Sequence, residues 1–188
     1  MSHKKPGHPL VCPPWLCFTF DNRLRRHIHN PSAILGSYVG PGDNALDIGP
    51  GMGYFSIPLA RMVGPAGRVT AIDIQEKMLA ALARRAEQSG VSQIVRAYLA
   101  TPESLGDHPK ADFVLTFWMV HELPDQRPFL TQIFNLMKPG GRFLLVEPKI
   151  HVTAKAFART LAIAAEIGFL VKEKPKVRFS RSVVLTRG

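Results

Sequence analysis

The residues best suited to chemistry crowd into one stretch, Leu46-Asp47-Ile48-Gly49-Pro50-Gly51-Met52-Gly53. Glycines at that density let a backbone turn sharply and come close to a ligand. A helix starting behind such a turn aims N–H groups at whatever sits there, which favours a carboxylate or a phosphate. The spacing is not the G-x-G-x-x-G of a dinucleotide site, because the third glycine comes one residue early and Tyr54 stands at the fingerprint position. Asp47, just before Gly49, would repel a pyrophosphate and suits a cationic amino group instead. Asp73 closes the next apolar run, where a carboxylate accepts hydrogen bonds from ribose hydroxyls.

These residues need a strand before the turn and a helix after it, and the pattern supplies both. The sequence predicts strands over 44–48, 69–74, 94–99, 113–117 and 142–147. Helices are predicted over 33–39, 54–63, 75–89, 127–137 and 154–167. Pro58 falls in the first turns of its helix, where proline is tolerated. In 75–89, Met78, Leu79, Leu82 and Ala86 recur at helical spacing, and Gly90 ends the run. Pro139-Gly140-Gly141 is expected to stop the helix over 127–137. Two final strands, 169–173 and 182–186, have no helix between them and read as an antiparallel pair. Strands alternating with helices require crossover connections and a parallel sheet covered on both faces.

With its elements in place, the chain resembles the class I (Rossmann-like) methyltransferases that use S-adenosylmethionine. The resemblance runs over about residues 33–186. Asp47-Ile48-Gly49-Pro50-Gly51-Met52-Gly53 is similar to the family's first motif and Asp73-Ile74 to its second. Phe117-Trp118-Met119-Val120-His121-Glu122-Leu123 is similar to the motif after the fourth strand, and Met137-Lys138-Pro139-Gly140-Gly141-Arg142 to the loop before the fifth. The resemblance implies an α/β fold: a doubly wound, mostly parallel seven-stranded sheet with helices on both faces and an antiparallel last strand. It implies S-adenosyl-L-methionine as cofactor, held by Asp47, Gly49, Gly51, Gly53, Asp73, Ile74, Thr101 and Phe117. One departure stands out. Where relatives commonly carry an acid for the adenine amino group, this chain has Thr101-Pro102-Glu103; Thr101 matches the position and Glu103 lies near enough to compete.

Methyl transfer from a sulfonium asks the protein mainly for positioning and exclusion of water. A general base is needed only where the acceptor must lose a proton. His121, just past the fourth strand, is the best candidate for that base, against the alternative of a packing histidine. Glu122 and Glu147 are weaker candidates.

Residues 1–32 differ from the rest and are expected to form a cap or lid over a methyltransferase domain at 33–188. Trp15, Phe18 and Phe20 would wall the substrate site, and Arg25, with Arg23 and Arg26, would meet an anionic group. The alternative is that these aromatics only pack on the sheet. Cys12 and Cys17, the chain's two cysteines, form no disulfide framework, and with His27 and His29 they match no standard zinc spacing, so no metal is expected.

The formal charge of +10 favours nucleic acid, an anionic membrane surface or anionic small molecules as partners. Basic residues cluster at Lys172, Lys174, Lys176, Arg178 and Arg181. No apolar run approaches the roughly 18 residues that span a bilayer, so a cytoplasmic protein with no membrane partner is expected. The leading expectation is methylation of a small molecule, with an RNA methyltransferase as the alternative and a non-catalytic cofactor-binding protein as a third class. Thr116-Phe117-Trp118-Met119 is not the Asn/Asp-Pro-Pro-aromatic motif of adenine amino-methylating enzymes, and neither the fourth nor the fifth strand carries the cysteine that cytosine carbon methylation requires.

Overall fold

The computed structural model describes residues 28–188. Cys12, Trp15, Cys17, Phe18, Phe20, Arg23, Arg25, Arg26 and His27 lie outside the described residues, and with them most of the expected 1–32 cap.

The described chain runs α1 (Pro31–Leu35), β1 (Asn44–Ile48), α2 (Ser56–Val63), β2 (Arg68–Asp73), α3 (Glu76–Gln88), β3 (Val95–Leu99), β4 (Ala111–Phe117), α4 (Gln126–Leu136), β5 (Met137–Pro148), α5 (Ala154–Ile167), β6 (Phe169–Glu173) and β7 (Ser180–Arg187). A 3-10 turn, Val120–Glu122, follows β4. The strands form one seven-stranded sheet in the order β3-β2-β1-β4-β5-β7-β6. Pairing is parallel from β3 through β5, and β7 runs antiparallel to both β5 and β6. The expected fold class is therefore the observed one.

Alternate residues of the central strands serve opposite faces. On β4, Phe113, Leu115 and Phe117 join the core beneath α1, α2 and α3, while Val114 joins the core beneath α4 and α5. On β5, Leu144 and Val146 take the first face and Phe143 and Leu145 the second. Burial of both faces explains why these strands read as continuous apolar runs.

Several boundaries move. The first helix begins earlier than predicted because Asn30 caps it, its Oδ1 accepting the Ser32 N–H at 3.0 Å, with Pro31 at the first helical position. The chain straightens at Met137 before reaching Pro139, since Met137 pairs with Ala111. β5 thus takes in the Pro139-Gly140-Gly141 stretch, and the pairing shifts register between Ala111 and Phe113. Pro58 is accommodated in the first turn of α2 as expected.

The functional consequence lies in the strand order. The chain steps outward from β1 to β3, then returns to β4 on the other side of β1. Crossovers on either side of that reversal leave on opposite faces, so a crevice opens outside the carboxyl ends of β1 and β4.

Candidate functional site

Every sequence-predicted site residue within 28–188 lies at or just past the carboxyl ends of these strands. In register, Ile48 pairs with Ile72 of β2 and Thr116 of β4, so Gly49, Asp73 and Phe117 emerge at one level. The Gly49 N–H donates to the Ile72 carbonyl at 2.9 Å, fastening the turn to β2.

The two later glycines of the turn have different surroundings. Gly53 has φ of 85°, and a Cβ there would lie 3.0 Å from Leu82 Cγ on α3. Gly51 has φ of 55°, and a Cβ there would meet nothing within 4 Å. Gly53 therefore combines a left-handed backbone with a tight approach to Leu82, whereas Gly51 borders open space. Met119, from the turn after β4, closes over Gly49 from the other side.

Asp73 ends β2 almost fully buried. Its Oδ1 accepts the Gln75 N–H at 2.9 Å. Burial pushes its carboxyl above the ordinary carboxylate range; backbone N–H groups of Gln75, Ile74 and Gly51 oppose the shift without cancelling it. Ile74 follows, 41% exposed, a sizeable apolar side chain left open beside this acid. A buried acid, an exposed isoleucine and the open space at Gly51 suit a sugar, a flat base and a ligand backbone. The residues present therefore fit S-adenosylmethionine.

Asp47 is buried, and its Oδ2 accepts from Ser56 Oγ at 2.6 Å. That bond ties β1 to the start of α2, a partner the sequence reading did not identify. Thr101 is exposed just past β3, and its Oγ1 accepts the Ser104 N–H at 3.2 Å, closing its own turn. Glu103 is also exposed, with its carbonyl accepting from Gln132 Nε2. Phe117 is buried against Phe55, with ring centroids 4.5 Å apart.

Past β4 the chain turns abruptly. Trp118 holds φ of 63°, a left-handed conformation uncommon for a bulky residue and frequent at functional sites. Its backbone N–H donates to the Val146 carbonyl at 2.8 Å and its indole N–H to Ser180 Oγ at 2.9 Å. This turn delivers His121 to the end of β5, where its Nδ1 lies 2.5 Å from Glu147 Oε2. Glu147 is buried, and its Oε1 accepts the Val120 N–H at 3.0 Å. His121 is half-buried; burial disfavours its charge, but the hydrogen bond and charge of Glu147, with the charge of Glu122, outweigh that and raise its pKa. The exposed His151 stacks on His121 with centroids 5.6 Å apart and planes 9° from parallel. Sequence reasoning had His121 and Glu147 as separate candidates. It missed their pairing and missed His151, because the two strand ends come together only through the sheet.

His29, just before α1, packs beside the site. It is buried, edge-on to Phe117 and Trp118 at 5.2 and 5.0 Å. Its Nε2 donates to the Arg178 carbonyl at 2.8 Å, and its own carbonyl accepts from the Tyr54 hydroxyl at 3.0 Å. Among the described residues no group of three or more His, Cys, Asp or Glu is arranged to hold a metal ion.

Comparison with known proteins agrees with this geometry. A family model described as "Methyltransferase domain" matches residues 40–175. The ubiquinone biosynthesis O-methyltransferase of Paramagnetospirillum magneticum is 38% identical over 153 residues, which cover 79% of this chain and 58% of that protein. The demethylmenaquinone methyltransferase of Symbiobacterium thermophilum is 30% identical over 139 residues, covering 73% of this chain and 52% of that protein. The chain thus spans little more than half the length of these curated relatives. The solved structure of a SAM-dependent methyltransferase from Aquifex aeolicus superposes with a TM-score of 0.85 at 22% identity, over 95% of this chain and 100% of that one.

Proposed function

Because this chain belongs to the class I methyltransferase family that uses S-adenosylmethionine, we propose that it methylates a hydroxyl of a small ring-bearing molecule, with His121 removing the hydroxyl proton. The observation that carries this reading is the His121–Glu147 pair at the carboxyl edge of the sheet. A hydrogen bond at Nδ1 from a buried acid sets the ring's orientation and tautomer and leaves Nε2 to take a proton, the arrangement by which a histidine base is prepared in many enzymes. Glu147 is a positioning residue, since it acts through His121.

Bound in the crevice, S-adenosylmethionine supplies an electrophilic methyl group. In this reading the Asp73 carboxylate accepts from the ribose hydroxyls, Ile74 covers the base, and Gly51 lets the backbone approach the ligand. Asp47, already bonded to Ser56, presents negative charge toward the cofactor's amino group. Thr101 sits at the adenine position with a hydroxyl where relatives commonly have an acid. The half-buried Trp118 and His121 present flat faces for an aromatic acceptor. In this reading residues 1–32 form the lid, with Trp15, Phe18 and Phe20 as acceptor walls and Arg25 for an anionic group; the buried His29, edge-on to Phe117 and Trp118, supports it.

Two of the relatives carry names for the methylation of quinone precursors, which favours a small acceptor over RNA. The test is transfer of labelled methyl to phenols, catechols, amines, thiols and total RNA. Phenolic acceptors should be methylated, and His121→Ala should abolish that while leaving cofactor binding intact. Transfer to RNA alone, or to no acceptor, would overturn the reading.

A further inference from the structure

Beside this site lies a surface whose composition its chemistry does not explain. After β5 the chain makes a short turn through Lys149 and Ile150, and Ile150 is 86% exposed. The Lys149 N–H donates to the Phe179 carbonyl at 2.9 Å, so this turn is fastened to the one leading into β7. Phe179 is 57% exposed and holds φ of 58°. A phenylalanine in that left-handed conformation is strained, and here it holds the ring out toward solvent.

The surroundings of these two side chains are cationic. Arg178 lies over the Phe179 ring at 5.1 Å. Lys149, Lys174, Lys176 and Arg178 are all exposed, and Arg181, half-buried, reaches across to the Val152 carbonyl at 2.9 Å. None of the five forms an ion pair among the described residues, and Glu173 is the one acid between residues 149 and 181 on the β6–β7 side of this rim. Exposed apolar tips surrounded by unpaired cations match an interface with negative headgroups outside and hydrocarbon just beneath. A nucleic acid would use the cations and leave Ile150 without a partner.

We infer that the rim formed by the β5–α5 and β6–β7 turns docks the protein on an anionic lipid surface, with Ile150 and Phe179 inserted among the acyl chains and the cations on the headgroups. No helix among the described residues is long and apolar enough to cross a membrane, so the contact is peripheral. The expectation of no membrane partner rested on the lack of a spanning segment, although the charge of +10 had placed an anionic membrane surface among the favoured partners. His121 stacks on His151, which adjoins Ile150, so docking turns the crevice mouth toward the lipid.

The test is cosedimentation of the full chain with phosphatidylcholine vesicles, with and without phosphatidylserine, and needs no methyl acceptor. The protein should bind only the anionic vesicles. Ile150→Ser together with Phe179→Asn should lower that affinity by roughly tenfold or more, and Lys174→Glu with Lys176→Glu by a similar factor. Asparagine tolerates the left-handed conformation, so unchanged circular dichroism will show that the first pair still folds. Failure to bind anionic vesicles overturns the inference. So does binding unaffected by loss of the apolar pair, or a preference for RNA that the charge substitutions remove and the apolar ones do not. None of these results bears on whether the protein transfers methyl groups.

Discussion

Glu147 has two hydrogen-bonding oxygens and spends them on different tasks: one receives the Val120 N–H, which fixes the turn, and the other receives His121. Replacing it with glutamine keeps the size and removes the charge. Glu147→Gln should lower kcat by roughly tenfold to a hundredfold, with cofactor affinity unchanged. A base must be neutral to act, so activity should rise with pH through the elevated His121 pKa, and in the glutamine variant that limb should move toward acid. The same shift affects stability. His121 titrates above its reference value of 6.5 in the fold, so its pairing contributes fully below that pH and is lost as pH rises through the folded value. Denaturant titrations at about pH 5.5 and pH 9 should show this difference in the wild type and lose it in Glu147→Gln. Asp73 has the opposite dependence. Ribose hydroxyls favour its ionised form, and burial raises its pKa, so cofactor affinity should fall as pH falls through that raised value. Calorimetry should find binding weakened roughly 10- to 100-fold in Asp73→Asn, the loss expected of hydrogen bonds to a charged group.

At the scale of elements, the glycine turn divides into a part packed against the fold at Gly53 and a part left open at Gly51. Gly53→Ala forces a Cβ against Leu82 and strains a left-handed residue; it should cost about 2–4 kcal/mol and lower Tm by roughly 5–15 °C. Gly51→Ala meets no protein atom and pays only the conformational strain, about 1 kcal/mol. Its main effect should be on cofactor affinity, reduced by roughly tenfold or more because the methyl group enters the ligand's space. Thermal melting with and without S-adenosylhomocysteine separates the two. If Gly51→Ala bound normally, the open space beside it would not be the cofactor's. The turn after β4 follows the same logic: Trp118 tolerates a strained φ because two hydrogen bonds, to Val146 and Ser180, hold it, and His121 depends on that turn for its place.

For the molecule as a whole, the crevice exists because the sheet reverses its build direction at β1, and His29, just before α1, packs against the residues beside it. That residue joins three separate parts of the chain: Phe117 and Trp118 at the end of β4, Tyr54 before α2, and Arg178 before β7. His29→Ala removes the bond to the Arg178 carbonyl and the two ring contacts, and should cost about 2–3 kcal/mol, or roughly 4–12 °C in Tm. The KM for the methyl acceptor should rise more than the Kd for cofactor. A variant with wild-type melting would show that His29 fills space without anchoring anything.

Local spacing was enough to determine the elements and the glycine turn between β1 and α2. The glycines between an apolar strand and a helix, the acid closing the next strand and the buried stripe of α3 each depend on neighbours within a few residues, so periodicity and turn chemistry record them directly. Helix ends were less certain, since Asn30 and Met137 act through a cap and a strand pairing that override the pattern. The tertiary structure alone decided that Glu147 holds His121, that Ser56 holds Asp47, and that Ile150 and Phe179 share one cationic rim. Those partners are distant in sequence or lie on different elements, and only the order and register of strands bring them within hydrogen-bonding or contact range.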